Sequence, residues 1–270
     1  MGSVMDLPEV HPLKQRLSES PTAQALFAFS VVLLFSLALS PSAGSKNIIV
    51  QSVLLQVFLV LAVPLALAAW LGLAKRGAFH LRPTSVKNLF WCAVLTFCSL
   101  FLLDEIALWQ QRITGVSANL LPEVRQLLRA ESIASLLWVA LSLALVPAVC
   151  EECLFRGFIL SRFLSTGNLG QALMMTGVLF GVFHRNLAVL LTTSLAGLLL
   201  AFVVWRTGSL YNAIAMHVLV NGWAISAVNS RLPEWLPWLD GAMHVPVAIQ
   251  LLCVAGTLLA ARQLSRPRVA

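Results

Sequence analysis

The stretch CEECLFRGFIL, residues 150–160, sets Glu151, Glu152 and Arg156 among Val, Leu, Ala and Phe. A charge in hydrocarbon is costly, so such residues persist mainly where they are paired or where they do chemistry. Three pairs at a four-residue spacing stand out in this half of the chain: Glu152/Arg156, Phe180/His184 and His217/Asn221. Four residues is one helical turn, so the members of each pair share a helix face. For Glu152 and Arg156 this predicts an ion pair within one helix. Glu151 points about 100° away from Glu152 and cannot share the Arg156 face. Its charge needs another partner or a held proton. A buried carboxyl beside a fixed negative neighbour is suited to general acid/base work, although proton relays and structural pairs present the same pattern.

Depth draws the same residues together. With Arg162, Asn168 and Gly208 as helix ends on one membrane face, Glu151 lies 11 residues in, His184 16, His217 nine and Asn221 13. At 1.5 Å per residue these positions are roughly 13–24 Å from that face, so three helices deliver rare polar side chains to overlapping depths. Pro147 removes a backbone bond four residues before Glu151 and predicts a kink ahead of the carboxylates. Gly177 and Gly181 form a small-xxx-small face that His184 extends, and the neighbour expected there is the helix bearing Glu151.

The elements that must position these side chains are membrane helices. Of the 270 residues 59% are hydrophobic and 11% charged, with a mean hydropathy of +0.87; a soluble domain is about a quarter charged. Apolar stretches near 23–40, 48–74, 87–110, 133–160, 169–187, 188–206, 209–228 and 244–262 predict about eight transmembrane helices. Each approaches the roughly 20 residues that cross a bilayer. The expected fold is therefore all-α and polytopic, with the site inside the bundle. It divides into an N-terminal tail (1–22), N-terminal membrane helices with an interfacial helix (23–132), a candidate catalytic core (133–262) and a C-terminal tail (263–270). The first span reads as a retained anchor, because Asp6, Glu9 and Glu19 do not suit a cleavable signal.

The net charge of +7 does not indicate nucleic acid, because Lys and Arg sit singly or in small clusters at helix ends. The side holding both tails carries 12 of the 18 basic residues. The positive-inside rule then places both termini in the cytoplasm of a cell (inner) membrane protein. Asp104, Glu105, Trp109 and Gln110 mark the opposite interface. The segment 119–132, with Leu120, Leu121, Val124, Leu127 and Leu128 on one side, reads as a helix lying on the membrane. Trp235 and Trp238 read as interfacial anchors, and His11, His80 and His244 receive no role.

The motifs EECLFR, FGVFH and HVLVN fit E-E-x-x-x-R, F-x-x-x-H and H-x-x-x-N in chain order. Over about residues 147–222 the chain resembles the CAAX-protease and bacteriocin-processing family, glutamic intramembrane endopeptidases that include the type II CAAX prenyl endopeptidase. The resemblance implies that Glu151 and His184 activate a water that attacks a peptide carbonyl. It further implies that His217 and Asn221 donate to the oxyanion, with Glu152, Arg156 and Phe180 supporting the site. The implied partners are membrane lipids and a membrane-anchored or lipidated protein or peptide, cut near its terminus; bacteriocins and C-terminal sorting signals belong to the same range. No cofactor is implied, and a single chain holds every motif, consistent with a monomer.

Other readings compete. Glu151 or Glu152 with His184 and His217 would supply a zinc ligand set, but H-E-x-x-H is absent. Cys150 and Cys153 match C-x-x-C, yet thiolates form reluctantly in apolar surroundings, and small hydrophobic packing is expected for all five cysteines. A non-catalytic membrane binding or immunity protein would need the same fold without its chemistry.

Overall fold

The computed structural model describes residues 17–41, 45, 47–73, 79–116, 122–230, 232–236, 238 and 243–265. The expectations for the extreme tails, for His11 and for the start of the interfacial segment lie outside these residues. All regular structure among the described residues is helical. That is how an apolar chain satisfies its backbone where no water is present. The helices are α1 (Pro21–Ala38), α2 (Ile48–Trp70), α3 (Val86–Thr114), α4 (Pro122–Leu128), α5 (Ile133–Leu164), α6 (Leu169–Phe183), α7 (Leu190–Thr207), α8 (Leu210–Asn229), α9 (Leu232–Trp235) and α10 (Val247–Gln263).

Five of these, α1, α2, α3, α5 and α7, are long and apolar enough to cross a membrane, and α6 and α10 are shorter apolar helices. The expected all-α polytopic architecture is the observed one. Helix α8 has 20 residues, but Asn212, His217 and Asn221 dilute its apolarity. Large apolar side chains such as Leu34, Phe58, Leu137, Leu251 and Leu252 are exposed on the outside of the bundle, where lipid would cover them.

Local sequence sets the helix ends. Ser20, Ser85, Ser132 and Asn168 each accept a backbone N–H in the first turn of α1, α3, α5 and α6. Gly115 and Gly208 take the left-handed conformation that closes α3 and α7. Helix α6 is shorter than the expected 169–187 span: it ends at Phe183, and Arg185 then adopts φ 53°. Arg185 is held in that turn by the Ser36 carbonyl and the Ser40 hydroxyl at the end of α1.

Helix α5 is the hub. It packs against α1, α2, α6, α7 and α8, while α3 lies outside α7 and α8 and carries α10 on its flank. Leu154, Phe155, Phe158, Ile159 and Leu160 are all fully buried, so this stretch of α5 is enclosed on every side. The kink expected at Pro147 takes a different form. Two π-helical stretches, Ala140–Leu145 and Cys153–Ile159, bracket the α-helical Val146–Glu152. The Val146 N–H reaches back five residues to the Leu141 carbonyl, so the ladder widens just before the proline that cannot donate. Helix α2 has its own π-helical stretch, Gln56–Leu61, and this packs on Val146–Glu152.

Two expectations need correction. The Gly177/Gly181 face meets α7, not α5: a Cβ on Gly177 would lie 2.7 Å from the Ser194 carbonyl oxygen. Small residues face whichever helix backbone approaches, and the aromatic positions of α6 are left for α5. His244, given no role, donates from Nδ1 to Glu105 at 2.7 Å, and Val245 N–H bonds the other oxygen of Glu105. Glu105 therefore ties α3 to the segment entering α10 rather than only marking an interface.

Candidate active site

Glu152 is fully buried, and its Oε1 is a point of convergence. Arg156, one turn later on α5 and also fully buried, donates to it at 2.7 Å. From α8, His217 Nδ1 meets the same oxygen at 2.8 Å. A carboxylate can only accept, so Nδ1 carries the proton and Nε2 is the free end of the ring. Arg156 also donates to the Gly197 carbonyl of α7 at 3.0 Å. Gly197 can come this close because it lacks a Cβ, which would lie 2.9 Å from the Phe180 side chain.

Glu151 projects from the adjacent face of α5, as the 100° offset requires. It is 7% exposed. Its Oε1 accepts from the Gln56 side-chain amide of α2 at 2.8 Å, and its Oε2 stands 3.9 Å from His217 Nε2. That last separation is an ion-pair distance, too long for a direct hydrogen bond. Thus His217 bridges the two glutamates, gripping one and facing the other.

Phe180 sits at the centre of the aromatic packing. Its ring lies 4.2 Å from the Arg156 guanidinium carbon, a cation–π contact, and touches the rings of His184 at 4.7 Å and His217 at 5.8 Å. Phe155 of α5 packs edge-on against Phe180 at 5.1 Å and Phe183 at 5.4 Å. These contacts join α6 to the glutamate helix. His184 caps α6 and is exposed. Its Nδ1 lies 2.9 Å from the Phe180 carbonyl oxygen, which can only accept, so Nε2 is again the available nitrogen.

The fold brings Glu151, Glu152, Arg156, Phe180 and His217 into one cluster, and His184 joins it through the Phe180 ring. Asn221 lies one turn beyond His217 on α8 and is half-buried. No three His, Cys, Asp or Glu side chains converge as a metal-binding group among the described residues. A zinc site from this donor set would require His184 to swing toward the Glu151–His217 pair. Cys150 and Cys153 are free thiols. Sequence reasoning missed Gln56 and Gly197. The first could have been found as the single polar side chain between Val53 and Trp70; the second has no sequence signal, because its role depends on which helices cross.

The fold and this cluster define a helical, polytopic membrane protein with ionisable residues gathered inside the bundle. Residues 133–223, about a third of the chain, match the family model described as type II CAAX prenyl endopeptidase Rce1-like. The match runs from the start of α5 through Trp223 of α8, spans every candidate site residue from Glu151 to Asn221, and falls in the family that the three motifs resemble. It supports a membrane-embedded protease of the CAAX type, and so a hydrolase. No curated protein and no solved structure matches the chain.

Proposed function

We propose that the protein is an intramembrane endopeptidase that cuts near the terminus of a membrane-associated protein or peptide, using water activated by Glu151. The observation that carries this reading is the facing pair Glu151 Oε2 and His217 Nε2, 3.9 Å apart beside a Glu152–Arg156 ion pair. Water takes its place against Glu151 and attacks the scissile carbonyl carbon, while its proton passes to the carboxylate. The carbonyl π electrons move to oxygen, and the resulting oxyanion accepts hydrogen bonds from His217 and Asn221. Because His217 Nδ1–H is committed to Glu152, the nitrogen that His217 turns to the oxyanion is Nε2. Collapse of the intermediate breaks the C–N bond, and the leaving amine takes the proton from Glu151. His184, with Nε2 available, turns toward the Glu151–His217 pair to share the proton transfer from the water. Glu152, Arg156 and Phe180 hold His217 and the packing around it, and no metal takes part.

The substrate enters as a lipidated or otherwise membrane-anchored chain, a class that includes CAAX-like tails, bacteriocins and C-terminal sorting signals. Both termini of the enzyme face the cytoplasm of the cell membrane. Terminal proteomics of the native host's membrane fraction, comparing the intact protein with Glu151→Gln, tests the reading. The variant keeps the side chain's size and loses the base. Specific membrane proteins are expected to accumulate with uncut tails. Unchanged termini at normal protein levels would sink catalysis by Glu151.

A further inference from the structure

We propose that Gln56 is a positioning residue of the active site, supplied by α2 from outside the segment that matches the family, whose amide holds Glu151 so that one oxygen stays turned toward His217. The inference rests on the proposed role of Glu151. Gln56 Nε2 donates to Glu151 Oε1 at 2.8 Å. This is the one hydrogen bond made by the Gln56 side chain among the described residues, and the amide oxygen is buried without a partner. The amide is therefore committed to Glu151 alone.

The backbone is arranged for that contact. Gln56 opens the π-helical stretch of α2, and Glu151 lies in the short α-helical segment between the two π-helical stretches of α5. A π turn rotates the following side chains relative to a regular helix, and such turns recur where a side chain must be re-aimed. The stretch Gln56–Leu61 packs directly on Val146–Glu152, which puts the amide level with the carboxylate. Glu151 then has its two oxygens divided: Oε1 to Gln56, and Oε2 toward His217 at 3.9 Å. Without the amide, the carboxylate plane would turn freely about the last side-chain bond, no oxygen would be held toward His217, and the base would no longer be preorganised.

The test uses the full chain in proteoliposomes and a synthetic peptide spanning the cut site returned by the terminal proteomics. Gln56→Met keeps the length and volume of the side chain and removes the donor. The expected result is a kcat roughly ten-fold lower or more, from loss of a hydrogen bond to a charged acceptor, with KM and melting temperature unchanged. Gln56→Leu, similar in volume and likewise without a donor, serves as the second variant if Gln56→Met does not accumulate, with the same split expected. A wild-type kcat in the folded variant, or a fall in melting temperature with kcat per folded molecule unchanged, overturns the proposal while leaving the Glu151 mechanism standing. Continued cutting of the peptide by Glu151→Gln, or no cut site in the proteomics, removes both together.

Discussion

Glu152 and Arg156 form the most deeply buried polar contact of the site, both fully enclosed and 2.7 Å apart. Desolvation offsets much of the attraction in such a pair, so its intact form contributes little net stability. Losing one partner is different, because it leaves an uncompensated charge inside the bundle. Arg156→Met is expected to destabilise the fold by about 3–5 kcal/mol. Glu152→Gln combined with it should recover part of that loss, since the orphaned carboxylate is gone. Equilibrium unfolding in detergent micelles measures both. A single variant as stable as the intact protein would show that Glu152 is compensated by His217 alone. The i,i+4 spacing made this ion pair readable from the sequence. That His217 joins it on the same oxygen was not readable, because the imidazole comes from a helix 65 positions further along.

Helix contacts explain why the site closes around Phe180. Gly177 and Gly181 let α6 lie against α7, and Gly197 of α7 returns the favour with its Cα side facing Gly177. That approach presents the Gly197 carbonyl to Arg156 and fixes Phe180 in contact with the guanidinium and the two imidazoles. A methyl group on Gly177 would meet backbone atoms, the Ser194 oxygen at 2.7 Å and the Leu198 nitrogen at 2.9 Å, which cannot rotate away. Gly177→Ala is therefore expected to cost about 1–3 kcal/mol through overpacking and to lower peptide cleavage as Phe180 shifts. Gly170→Ala on the same helix, whose Cβ would find its nearest neighbour at 3.8 Å, should leave the melting temperature and cleavage near their original values. Thermal unfolding of the two variants, followed by cleavage assays, separates the cases. The glycine spacing signalled a close approach, but a small-residue face does not name its partner. The partner is α7, selected by the short turn that joins the two helices.

At the scale of the whole molecule, the orientation proposed above rests on the distribution of charge in the sequence. The proposed eight-span topology puts 12 of the 18 basic residues on the side of the two tails, and the positive-inside rule then assigns that side to the cytoplasm. Green fluorescent protein fused after Ala270 is expected to fluoresce in a bacterial host, and alkaline phosphatase inserted after Gly115 is expected to be active. The opposite pattern would reverse the topology and the face from which a substrate tail is presented.

The sequence by itself determined the all-α membrane architecture, the approximate bounds of the helices, the helix-end residues and the Glu152–Arg156 pair. All of these depend on composition, on periodicity or on neighbours within one turn, and such quantities are local. Only the tertiary structure decided that Glu151 is flanked by Gln56 and His217, that the glycine face meets α7 and that His244 reaches Glu105. Each of these joins residues far apart in the chain, and their meeting depends on how helices cross and where π turns rotate a side chain. Pro147 shows the boundary between the two: the missing N–H is evident from the residue type, whereas the π-helical stretch before it, packed against α2 and α8, is seen only in the tertiary structure.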